Sequence, residues 1–123
     1  MSTIATMIRG RIDRIGVLLS ALCMVHCVSS VVLVALLGVG GGVLMNPRIH
    51  EIGLAAALVI GALGLGMGML RHGKRGPLAL GGFGLALMGM GLLAPHGLAE
   101  AALTIAGVTL LATGHIANLR HGD

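Results

Sequence analysis

The chain has 123 residues, 56% of them hydrophobic and 10% charged, with a mean hydropathy of +1.02. A soluble domain carries about 25% charged residues, so this composition excludes both a water-soluble globule and a disordered chain, and it leaves an integral membrane protein. The net charge of +4 does not point to nucleic acid: the basic residues sit between apolar stretches, and a single Phe with no Trp or Tyr gives bases nothing to stack on.

The first apolar run, Ile15 to Met45, exceeds the roughly 20 residues that one membrane span needs. The cluster Gly38, Gly40, Gly41 and Gly42 is its natural exit, which places span one at about 15–38. A signal peptide does not fit, because its apolar region runs only about 7–15 residues and ends at a small-residue cleavage site. A lipoprotein reading of Cys23 fails as well, since the run continues well past it, and Met1 onward is expected to be mature protein. Span two follows Pro47 and His50-Glu51 and is expected at about 52–70. The basic connection Arg71 to Gly76 is short and makes spans two and three antiparallel neighbours. Span three is expected at about 78–94, after Pro77 and before Pro95, and span four at about 97–117. The prolines fall at span starts or in connections, where a missing N–H is harmless.

These elements predict one all-α transmembrane domain over residues 1–123, an integral membrane four-helix bundle. Seven of the eight Lys and Arg residues flank one side of the spans, and Arg48 stands alone on the other. The positive-inside rule then puts both termini in the cytoplasm. Aromatic belts are absent, so Arg and Lys must anchor the spans. Many of the 22 glycines lie within the spans, among them Gly64, Gly68, Gly81, Gly82, Gly84, Gly89 and Gly91. Such small-residue surfaces let helices approach closely, with self-association as an open alternative.

Function must rest on the few polar side chains that a bilayer tolerates at a cost. At 100° per residue, Asp13, Gly16, Ser20, Cys23, Cys27 and Ser30 form one stripe on span one, with His26 at its edge. Cys23 and Cys27 are one turn apart, with Cβ atoms about 5–6 Å from each other. That is too far for an unstrained disulfide within an intact helix, but it suits two sulfurs gripping one soft ion. His26 adds a third donor. A bare thiolate is disfavoured in lipid, so the free site is expected to hold neutral thiols that lose protons when metal binds.

His50 and Glu51 open span two on the outer side, where an acid also favours the helix dipole. In span four, His96, Glu100, Thr104, Gly107, Gly114 and Asn118 share a face, with His115 at its edge. His96 and Glu100 belong to the outer end and His115 to the inner end, where its approach to Cys23 would need a tilted bundle. His72 and His121 read as solvated residues. The eight methionines lie at different depths and read as packing.

Asp13-Arg14-Ile15-Gly16 followed by Ser20-Ala21-Leu22-Cys23-Met24-Val25-His26-Cys27 resembles the first span of the MerC family of mercury-resistance inner-membrane proteins. His50-Glu51 and Gly114-His115-Ile116-Ala117-Asn118-Leu119-Arg120 fit the wider group of MerC-domain proteins. The resemblance implies four spans with both ends in the cytoplasm of a bacterial cell, and inward carriage of Hg(II) with Cys23 and Cys27 as its ligands. The sequence departs from the mercury-resistance members by placing His26 inside the motif and by lacking a second, carboxy-terminal cysteine pair. Mixed sulfur, nitrogen and carboxylate donors suit Zn(II) better.

The expected function is therefore a multi-pass permease, not an enzyme, for a thiophilic heavy-metal cation. The ion would be gathered at His50, Glu51, His96 and Glu100, pass to Cys23, Cys27 and His26, and leave near His115. No permanent cofactor is expected. The expected partners are lipid, the metal, and a metal-carrying protein or further copies of the chain. Three rival readings are a non-transporting assembly subunit, a membrane thiol oxidoreductase and a proton-coupled exporter of organic cations.

Overall fold

A computed structural model describes residues 2–37, 47–95 and 98–121, and among them the chain is four α-helices with no strand. They are α1 (Ser2–Leu37), α2 (Pro47–His72), α3 (Gly76–Leu93) and α4 (Leu98–His121). Each is long and apolar enough to cross a membrane. The all-α membrane bundle expected from composition is the fold observed.

The helices outrun the apolar stretches. α1 begins at Ser2 rather than near Ile15, because residues 2–14 contain no proline to stop it, and its 36 residues make about 54 Å of helix against a hydrocarbon core of about 30 Å. The expected exit at Gly38–Gly42 lies outside the described residues. α2 starts on Pro47, whose fixed φ suits a first helical position. It ends where Gly73 takes a positive φ of 71° and donates its N–H to the Met69 carbonyl at 2.9 Å, a left-handed cap that glycine adopts without a Cβ clash. Ala94 terminates α3 in an extended conformation (φ −77°, ψ 157°), the one imposed on a residue before proline.

Helices adjacent in sequence run antiparallel, α1 runs antiparallel to α4, and α2 and α4 run parallel, as cross-helix neighbours show. Residues early in α1 meet the ends of α2 and α4, and residues late in α1 meet their beginnings. The α3–α4 pair is the most intimate. A Cβ on Gly84 would stand 2.5 Å from the Gly107 carbonyl oxygen, and one on Gly107 would stand 2.6 Å from that of Gly84. Gly64, Gly68, Gly81 and Gly91 also face other helices, whereas Gly66, Gly82 and Gly89 face open space. The expected glycine surfaces thus divide into packing and outward positions.

Many large apolar side chains face outward, and several polar ones are buried. Leu18, Leu22, Val25, Leu58, Val59, Phe83 and Met90 are exposed, while Asp13, Ser20, Glu100, Thr104, His115 and Asn118 are buried. In water this distribution would be unstable. In a bilayer the exposed side chains meet lipid, and the polar groups find partners between helices. A small apolar core of Ala57, Leu65, Met88, Val108 and Leu111 fills the middle. Two polar clusters lie at opposite ends of the bundle.

Candidate metal centre

The stripe expected on α1 is the face that turns inward. Asp13, Gly16, Ser20 and Cys27 are buried, and Cys23, His26 and Ser30 are half-buried. Both cysteines are free thiols. Residues one turn apart on this face therefore look at α2 and α4 rather than at lipid.

At one end of the bundle, the beginning of α2 brings His50 against the late part of α1. His50 Nε2 lies 3.7 Å from Cys27 Sγ. The His26 and His50 rings meet edge to face, with centroids 5.1 Å apart. His50 Nδ1 lies 3.1 Å from Glu100 Oε1 of α4. An ionised carboxylate only accepts, so Nδ1–H donates to Glu100 and the Nε2 lone pair is left facing the thiol. A carboxylate behind a histidine in this way fixes the ring and its tautomer, as it does behind metal-ligating histidines.

Ligand atoms of His26, Cys27 and His50 all lie within 4.8 Å of one another. The spread suits three donors converging on one ion, given Zn–N and Zn–S bonds of about 2.0–2.3 Å. Cys23 sits one turn farther in, and a Cβ on Gly53 would be 3.6 Å from its Sγ. A pocket of about 310 Å³ is lined by Cys23, His26, His50, Gly53 and Met88 among others. The missing side chain at Gly53 thus leaves Cys23 open to the same space as the histidines.

A family model described as MerC mercury resistance protein matches residues 13–120. The chain belongs to the MerC family. No curated protein and no solved structure matches it. The MerC match begins at Asp13 and ends at Arg120, so it spans all four helices and both polar clusters.

In this MerC chain the structure brings together Cys27, His26, His50 and, behind His50, Glu100. Glu51 is exposed and stands outside that group. His96 lies outside the described residues. His115 is fully buried rather than at a face edge, and it sits at the other end of the bundle, where Nδ1 lies 2.8 Å from Asp13 Oδ1. His72, read from sequence as solvated, bonds through Nε2 to Asn118 Oδ1 at 2.7 Å, and its ring packs near that of His121.

Sequence reasoning missed two partnerships. It grouped His50 with Glu51 and Glu100 with His96, each by closeness in the chain, whereas the bundle pairs His50 with Glu100. It placed Asp13 on the polar stripe but gave it no partner. The available signal was depth: His50 and Glu100 both open their helices on the same side, and Asp13 and His115 both lie near the other.

Proposed function

We propose that this MerC-family membrane protein carries a thiophilic divalent metal ion across the bacterial inner membrane, with both termini in the cytoplasm. The observation that supports it most is the convergence of His26, Cys27 and His50 from two helices, with donor atoms within 4.8 Å. Cys23, one turn deeper and lining a pocket with His26 and His50, is the next ligand inward. The ion enters at the His50–Glu100 end, binds Cys27, His26 and His50, and moves to Cys23 by exchange of ligands.

Hg(II) is the substrate that family membership favours, because thiolates prefer soft ions. Zn(II) is a second reading, favoured by the two imidazoles and the carboxylate gathered around one sulfur. The sequence contains no nucleotide-binding motif, so a gradient or a metal-accepting protein on the inner side supplies the drive.

Cells expressing the wild-type chain should accumulate more Hg(II) or Zn(II) than cells expressing Cys23→Ser/Cys27→Ser at equal membrane levels. Equal accumulation of both metals in the two strains would rule this function out.

A further inference from the structure

Met88 is the one buried methionine among the described residues, at 5% exposure, whereas Met7, Met67 and Met90 are exposed. It belongs to α3 and packs in the apolar core with Leu65, Val108 and Leu111. Its side chain crosses Gly107 of α4, where a Cβ would stand 2.6 Å from Met88 Cγ. Leucine would fill this volume about as well. What methionine adds is a polarizable sulfur lone pair.

The register of the helices puts this side chain level with Cys23. The His115 ring of α4 lies against Gly16 of α1. The two helices run antiparallel, so Cys23, seven residues on from Gly16, is at the height of Val108, seven residues back from His115. Both steps are about 10 Å along the bundle at about 1.5 Å per residue. Val108 adjoins Gly107, the residue that Met88 crosses. A thiol on α1 and a thioether on α3 therefore stand at one depth, and both residues line the same pocket. Apart from His26, His50 and Thr104, the rest of that lining is Leu, Ile and Gly.

We propose that Met88 is a further metal ligand, paired with Cys23 in an inner all-sulfur site that admits soft cations of the Ag(I), Cu(I) and Hg(II) class and holds back Zn(II). This rests on the metal pathway proposed above, and it names the residue that sets its substrate class. Thioethers bind soft ions, whereas Zn(II) takes its ligands from thiolate, imidazole and carboxylate. Those are the donors of His26, Cys27, His50 and Glu100 at the mouth of the pathway. The donor set thus softens inward, from mixed nitrogen and sulfur to sulfur alone. The thioether is neutral with or without the ion, so exchange onto it moves no proton: a metal–nitrogen bond to His50 breaks and a metal–sulfur bond to Met88 forms. An ion held by few sulfurs also suits a lining that offers so little to hydrating water.

The test uses the full chain in lipid nanodiscs with Ag(I) as probe, in a Cys27→Ser background where Cys23 is the remaining thiol. Adding Met88→Leu should weaken Ag(I) binding by at least about 10-fold, the smaller end of what even an outer partner of a metal ligand contributes. Adding Met90→Leu, at an exposed methionine, should leave it unchanged. X-ray absorption of the bound Ag(I) should count two sulfur neighbours in the Cys27→Ser protein and one after Met88→Leu. Unchanged affinity in Met88→Leu, or an equal loss in Met90→Leu, overturns the role of Met88 while leaving the metal site standing. If Met88→Leu does not fold, the sulfur count in the Cys27→Ser protein decides, and a single sulfur neighbour there overturns it. Ag(I) binding as tight in Cys23→Ser/Cys27→Ser as in Cys27→Ser overturns the place of Cys23 in the metal pathway, and this inference with it.

Discussion

His50 and Cys27 are 23 residues apart in sequence, yet the His50 ring nitrogen lies 3.7 Å from the Cys27 sulfur. The late part of α1 lies against the start of α2. Glu100, from a third helix, holds the far side of the same ring. Three helices therefore fix one thiol–imidazole contact, and the metal-handling account depends on it.

Glu100→Gln should weaken metal binding by about 10–100-fold without unfolding the protein, because an amide holds the His50 tautomer less strongly than a carboxylate does. Titration against a chelator of known affinity checks this. An equal loss at the exposed Glu51, by Glu51→Gln, would show that general charge and not the His50 contact is responsible.

Gly84→Ala should lower the thermal midpoint in detergent, because the added methyl would meet the Gly107 carbonyl at 2.5 Å and force α3 from α4. Gly82→Ala, facing open space, should leave the midpoint unchanged. A thermal scan of the two variants beside wild type separates packing glycines from outward ones.

His115→Ala should destabilise the fold by about 3 kcal/mol or more, since it removes one partner of a buried ionisable pair and leaves the Asp13 carboxylate with less to satisfy it. His121→Ala, at an exposed position, should cost little. Denaturation of the two variants in the same detergent makes the comparison.

Topology is open to direct measurement. A cytoplasmic-side reporter fused after Asp123 should be active and a periplasmic-side reporter inactive, given that seven of eight basic residues flank one side. The opposite pattern would reverse the direction in which the ion meets His50 and Cys23.

The sequence carried the fold at low resolution for a simple reason: four apolar stretches separated by Pro, Gly and charge admit few arrangements. It also carried the inward face of α1, because helical periodicity places Asp13, Ser20 and Cys27 on one side. The site was legible only within single helices. Cys-x-x-His-Cys could be read from spacing, but His50–Glu100 and Asp13–His115 span 50 and 102 residues, and such contacts depend on how helices pair and tilt. The helices also reach beyond the expected spans, since apolar length reports where lipid begins and not where hydrogen-bonded turns stop. In α1 the helix continues through Arg14 and Arg11 into the chain ahead of the membrane.

The measurement closest to the central claim is metal content of the purified protein, wild type beside Cys23→Ser/Cys27→Ser, after exposure to Hg(II) and separately to Zn(II). The account predicts a single bound ion per wild-type chain for at least one of these metals, and its loss in the double variant with helical content unchanged. The same metal content in both proteins would contradict it.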